Sequence, residues 1–149
     1  MNSNKRGFSL IEMTIAVAII AVLTGVAIPV YISMKSSIQL SGATRQIMED
    51  LMWARMRAIN QNNEFKVFFM DDHQYKILDD NNDNGDIDAG ESVITKNIRD
   101  KYNDITLSSN NNPIFHPRGN AAPTATVTIV NSCGTKTVAI AITGRVRKE

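Results

Sequence analysis

Side chains that carry chemistry are scarce in this chain of 149 residues. A single cysteine, Cys133, excludes an intrachain disulfide. Its expected role is that of a small buried apolar residue, with a reactive or intermolecular thiol as the alternative. The two histidines, His73 and His116, lie well apart with no cysteine beside them, which excludes a zinc cluster of the usual Cys/His spacing. His73, in a turn beside Asp71 and Asp72, reads as solvated, and His116 is assigned no metal. No Ser/His/Asp spacing and no Gly-rich phosphate loop is present, so no enzyme is expected. Formal charge is only +1, which excludes a global electrostatic pull on nucleic acid; any such binding must be local.

Charge is missing altogether between Glu12 and Lys35. Met13 to Met34 is 22 uncharged residues, against about 20 needed to span a bilayer as a helix. This segment inflates the 43% hydrophobic content, and the remainder has room for about one small domain. Lys5 and Arg6 precede it and favour a cytoplasmic N-terminus, with the bulk of the chain on the other side. An ordinary secretory signal is cut beyond its apolar run. Here the junction that looks cleavable, Gly7/Phe8, lies before the run, so the apolar segment stays with the mature chain. Loss of Lys5 and Arg6 leaves 14 basic against 15 acidic residues. Glu12 is a lone carboxylate at the head of the segment, costly in lipid unless it is paired.

Helical spacing continues past the apolar run through Ile38, Ile47, Leu51, Met52 and Met56, with Arg45, Glu49, Asp50, Arg55 and Arg57 between them, and predicts a helix to about Asn60. A bend or local melting is expected at Gly25 and Pro29, with Gly42 a second weak point. Trp53 is expected in the core. From Glu64 the period becomes two, predicting strands at 65–69, 74–78, 92–95, 104–107, 125–130 and 136–142 with a tight hairpin at Asp71-Asp72-His73.

Arg6-Gly7-Phe8-Ser9-Leu10-Ile11-Glu12 resembles the class III signal of type IV pilins and type II secretion pseudopilins. The resemblance implies that a prepilin peptidase cuts after Gly7 and methylates the new N-terminus at Phe8, and that Glu12 pairs with a neighbouring subunit's N-terminal amine during assembly. Asn60 after Met56-Arg57-Ala58, the acidic loop ending Gly90-Glu91, Ile114-Phe115-His116-Pro117-Arg118-Gly119 and Thr143-Gly144-Arg145-Val146-Arg147 are together similar to the FimT/GspH type of minor pilin or pseudopilin. The implied fold is α+β and pilin-like: a cleaved leader at 1–7, a membrane or filament-core helix at 8–34, an amphipathic helix at 35–62 and an antiparallel β domain at 63–149. The implied function is assembly or priming of a type IV pilus or type II secretion pseudopilus. Its partners would be other pilin subunits, the peptidase and an inner-membrane assembly platform. The expected location is a single pass through a bacterial inner membrane with a periplasmic domain.

Two local patterns stand beside that frame. Asp80 to Glu91 fits the EF-hand loop pattern, with side-chain oxygens from Asp80, Asn82, Asn84, Asp88 and Glu91, the Asp86 carbonyl and a turn at Gly85. Calcium is one reading; a solvated Asx-rich loop between strands is the other. Asp71 to Glu91 holds eight acids against Lys76 alone, a density that calls for a cation or a basic partner. At the C-terminus, alternation puts Arg145 and Arg147 on one face of an extended strand, about 7 Å apart. With Lys148 this resembles the arginine motif by which FimT-type pilins bind DNA for uptake; the alternative is a charged edge strand that blocks edge pairing.

Overall fold

A computed structural model describes residues 8–149. Helix α1 runs Leu10–Gln61 without interruption. At its start the Ser9 amide donates to Glu12 Oε2 at 3.5 Å, and the Met13 amide to the Ser9 carbonyl at 3.2 Å. Ser9 and Glu12 thus form half of a capping box. Pro29 removes the hydrogen bond to the Gly25 carbonyl, yet the expected melting does not occur, because the helix continues through both residues. The apolar side chains from Leu10 to Met34 are exposed, and the helix is long and apolar enough to cross a membrane. Ser36–Glu149 forms one compact unit and the residues up to Lys35 the other.

Within the compact unit α1 buries Leu40, Ala43, Thr44, Ile47, Leu51, Ala54 and Ala58. Steps of three and four keep these on one stripe, and the three alanines let the sheets approach closely. The expected weak point at Gly42 is a packing notch instead: a Cβ there would sit 2.7 Å from the Tyr102 ring. The helix closes one residue later than expected. Asn62 takes a left-handed φ of 53°, and the Asn63 amide returns to the Ala58 carbonyl at 3.2 Å, the six-to-one bond of a Schellman cap.

Among the described residues nine strands follow: β1 Glu64–Phe69, β2 Gln74–Asp80, β3 Ser92–Asn97, β4 Thr106–Ser109, β5 Ile114–Phe115, β6 Ala121–Ala122, β7 Ala125–Asn131, β8 Gly134–Ile140 and β9 Val146–Lys148. They make two antiparallel sheets, ordered β3-β2-β1-β5-β6 and β4-β7-β8-β9. The Leu107 amide donates to the Asp72 carbonyl at 2.7 Å and the Ala121 amide to the Ile142 carbonyl at 3.0 Å, tying one sheet to the other. Both bury their inner faces with the stripe of α1: Phe65, Val67, Tyr75 and Ile77 from the first, Leu107, Val127, Ile129, Val138 and Ile140 from the second. The fourth strand lies two residues later than 104–107. β5 and β6 were not foreseen, being only two residues each.

Cys133 and Trp53 differ from expectation. Cys133 is exposed, because it sits in the β7–β8 turn where the Asn131 side chain accepts its amide at 2.9 Å. Trp53 lies at the margin of the core, edge-on to Phe65 with ring centroids 6.3 Å apart and the Arg57 guanidinium 5.0 Å above it.

Tyr75 crosses the core to reach Asp50 on α1, whose other oxygen takes Lys96 Nζ at 2.5 Å. Burial, and then the Asp50 carboxylate, push the Tyr75 phenol far above its ordinary value. A folded-state value above the unfolded value of about 10 means the protonated phenol stabilises fully below that pH and the contribution is lost above it. We expect the urea midpoint to fall steeply as pH rises past about 10, and Tyr75→Phe to flatten that fall while costing about 1.5 kcal/mol at neutral pH.

Candidate functional site

Arg55, on α1, holds the far ends of both sheets. Its Nε donates to the Gly119 carbonyl at 2.7 Å and its Nη2 to the Thr143 carbonyl at 3.2 Å. Gly119 and Gly144 have φ of +80° and +72°, and a Cβ on Gly144 would overlap the Gly119 oxygen and lie 2.7 Å from Arg55 Nε. Only a glycine fits there. The two C-terminal patterns that drew notice in the sequence, around Gly119 and Gly144, therefore meet at one arginine of the helix. Helical spacing marked Arg55 only as a polar position, so this role was missed; the signal available was the pair of loop glycines, Gly119 and Gly144.

From that clamp the chain turns into β9, the outer strand of its sheet, paired to β8 at Val138↔Lys148, Ala139↔Arg147 and Ile140↔Val146. Val146 packs against the core and Arg147 beside it is exposed; Arg145 is exposed too but precedes the strand, so only one of the two arginines expected on an extended strand lies on β9. Arg147 donates to Glu149 Oε1 at 2.9 Å. Lys148 is separated from these two: with Lys136 of β8 it lines a groove of about 390 Å³ against Arg45, Met48, Glu49 and Met52 of α1. Lys136 Nζ donates to Ser41 Oγ at 2.5 Å.

The six calcium-loop candidates run from Asp80, the last residue of β2, through the loop between β2 and β3, which folds back over the outer face of β2. Asp80 is fully buried, accepting the Asn84 amide at 3.2 Å and the Gly85 amide at 2.7 Å. Lys66 Nζ, on the same outer face, donates to the Gly85 carbonyl at 2.7 Å. Asp88 accepts from the Asn82 and Asn84 side chains at 2.9 and 2.7 Å, which holds its carboxyl below the usual range. Glu91 bridges the Asn81 and Asp88 amides at 3.1 and 3.0 Å, and Asn84 Oδ1 takes the Asp86 amide at 2.7 Å. The candidate ligands are gathered on one loop, with the oxygens of Asp80, Asn84, Asp88 and Glu91 directed at amide donors. This is an Asx-turn network. Asp83, Asp86 and Ile87 remain exposed at its tip.

The hairpin at Asp71-Asp72-His73 forms as expected, but His73 is half-buried. Its Nδ1 lies 2.6 Å from Asp72 Oδ1, and Arg99 Nη2 donates to Asp72 Oδ2 at 2.7 Å, so His73 first and then Arg99 hold the Asp72 carboxyl below its ordinary value. His116 Nδ1 lies 2.5 Å from Glu64 Oε1, joining the β5–β6 turn to the start of β1. At the other end of the chain Phe8 and Glu12 are exposed; Gly7 lies outside the described residues.

Residues 43–144 match the family described as Type II transport protein GspH. The chain belongs to the GspH family. Residues 2–28 match the prokaryotic N-terminal methylation motif. The chain is 30% identical, over 97% of its length and 99% of the relative's, to the pilin-like protein PilA1 of Thermus thermophilus. Its fold is similar to the crystal structure of the Pseudomonas aeruginosa type IV minor pilin FimU, with TM-score 0.61 and 19% identity over 78% of this chain and 92% of that one. It is similar also to the minor pseudopilin EpsH of the Vibrio cholerae type II secretion system, with TM-score 0.59 and 12% identity over 74% and 96%. The expected pilin-like fold is the one observed, a long N-terminal helix on antiparallel sheets. This GspH-family member is a minor pilin or pseudopilin, a structural subunit, with an apolar N-terminal helix suited to membrane anchoring.

The clamp and the loop generate a graded stability prediction, read by urea unfolding. Gly144→Ala costs about 3 kcal/mol or more because neither the carbonyl nor the backbone angle can yield. Arg55→Ala and Asp80→Ala cost about 2 kcal/mol each by stripping partners from buried polar groups. Gly90→Ala, with positive φ but open space around it, costs about 1 kcal/mol.

Proposed function

We propose that this chain is made as a precursor cut after Gly7 by a prepilin peptidase and N-methylated on Phe8. It is then held by one membrane pass in a bacterial inner membrane, with Ser36 onward in the periplasm, until an assembly platform moves it into a pilus or secretion pseudopilus. The observation that carries this reading is α1 itself: one continuous helix, unburied and uncharged from Met13 to Met34, then buried on one stripe from Leu40 to Ala58. The first half needs lipid or the like halves of neighbouring subunits; the second is fixed to a water-facing domain.

Glu12 is the group that links the two settings. Its carboxylate is exposed in the first turn beside the Ser9 amide, at the helix end where backbone N–H groups favour a negative charge. In a dry filament core that carboxylate requires a cationic partner, and the amine of a neighbouring Phe8 supplies one. We expect Glu12→Ala to stay in the membrane fraction at normal levels and to fall about tenfold or more in sheared filaments, equivalent to about 1.4 kcal/mol lost per contact. Equal recovery in filaments would refute the role. The processed N-terminal peptide should begin at Phe8 and carry one added methyl group by mass spectrometry.

A second reading, local capture of DNA, is supported by the exposed positions of Arg147 on β9, the outer strand of its sheet, and of Arg145 just before that strand. Affinity of the full chain for duplex DNA should then fall with salt and be lost in Arg145→Ala/Arg147→Ala, whose unfolding midpoint should not move. Binding unchanged in that variant would eliminate it.

A further inference from the structure

The molecule carries two surfaces of opposite charge that it does not bring together itself. One is the groove between α1 and the β8–β9 edge, where Arg45, Lys136 and Lys148 face Glu49 alone over a floor of Met48 and Met52. The other is the tip of the β2–β3 loop, where Asp83, Asp86 and Asp88 flank Ile87, an apolar side chain left 46% exposed. The Asp83 and Asp86 carboxylates have no hydrogen-bond partner among the described residues. Methionine floors adapt to the shape of an inserted aliphatic side chain, and three cations around them suit an apolar tip ringed by acids.

The two surfaces also differ in height along the helix. The groove is built on the Ser41–Met52 stretch of α1. The loop lies beside the other end, where Asn63 Nδ2 donates to Asn81 Oδ1 at 3.1 Å and to Asp79 Oδ1 at 2.6 Å. From Arg45 to Gln61 the helix rises about 24 Å at about 1.5 Å per residue. A groove filled by a loop from another copy therefore displaces that copy along the helix direction.

We infer that the groove receives the β2–β3 loop of a second copy of this chain, with Ile87 over Met48 and Met52 and the loop's aspartates against Arg45, Lys136 and Lys148. The contact joins two different patches, so it is heterologous and leaves a free groove and a free loop after every addition. Contacts of that kind build open stacks, not closed dimers. The inference rests on the proposed assembly role and specifies which surfaces meet.

The test uses the full chain in detergent with Cys133→Ser as background. Met52→Cys and Ile87→Cys chains, oxidised separately, should stay largely monomeric; mixed, they should give a disulfide-linked dimer and nothing larger. A chain carrying both substitutions should give a ladder. Lys136→Glu/Lys148→Glu in the Met52→Cys chain should lower the mixed dimer about tenfold. Combining it with Asp83→Lys/Asp86→Lys in the Ile87→Cys chain should restore the yield. No mixed dimer, a yield indifferent to charge reversal, or cross-linking of Ile87→Cys in membranes only to a different protein would overturn the inference. Recovery in sheared filaments is read in parallel: normal recovery without the cross-link overturns this contact and leaves the assembly role standing. Absence of the unsubstituted chain from filaments overturns the assembly role, while a charge-dependent ladder would still uphold the contact.

Discussion

The fold of the water-facing unit depends on one stripe of one helix. Leu40, Ala43, Ile47, Leu51, Ala54 and Ala58 are buried together with the inner faces of both sheets, and among the described residues the other helical element is a single 3-10 turn, Ile98–Asp100, which adds Ile98 to the same core. A helix is not held by propensity alone; its amphipathic half becomes stable as the sheets close on it. The dependence runs both ways, because β5, β6 and β9 are too short to stand without the core they edge. The alanines carry as much of this arrangement as the larger residues. At 43, 54 and 58 they bring strands and helix into contact distances that a leucine would prevent.

Polar groups then fix how the sheets sit on the stripe. Asp50 collects Tyr75 from β2 and Lys96 from β3, while Arg55, one turn further, collects the carbonyls of Gly119 and Thr143 from the ends of the two sheets. Apolar packing tolerates sliding; a carboxylate and a guanidinium with fixed partners do not. Register against the helix is thus set by charge, and closeness by the alanines. The same economy governs the loop after β2, where Asp80 is a buried anchor for two backbone amides and leaves the remaining acids outside.

Much of this was legible in the sequence, for reasons that differ by element. The apolar run and Glu12 are read from absence of charge, and the helix after it from its three-and-four spacing. β1, β2, β3, β7 and β8 have enough β-branched and aromatic residues for a period of two to show. β5 and β6 do not, because a two-residue strand has no period; they exist because Phe65↔Phe115 and Ile114↔Ala122 pair across space. Cys133 was misjudged by residue type, since its position is decided by an Asn131-capped turn and not by its apolar side chain. Lys148 was grouped with Arg145 and Arg147 by proximity in sequence, whereas strand alternation turns it toward the groove.

The first half of α1 poses a different physical problem. From Leu10 to Met34 its large apolar side chains are all more than half exposed, far beyond what a soluble surface carries singly. No face of that segment is polar, so it cannot lie on a sheet of its own chain with one side in water; it needs an apolar surrounding on every side. A bilayer provides one, and a bundle of identical segments provides another of nearly equal polarity. Exchange between the two costs little for the side chains, so direction must come from groups that distinguish them. Glu12 is the one charged side chain in Leu10–Met34, and a carboxylate loses far less at a hydrated membrane edge than in a dry bundle without a cation. A partner amine reverses that preference. On the assembly role proposed above, the acid at the head of the helix would make such a bundle selective for subunits that present a free N-terminus at the right height.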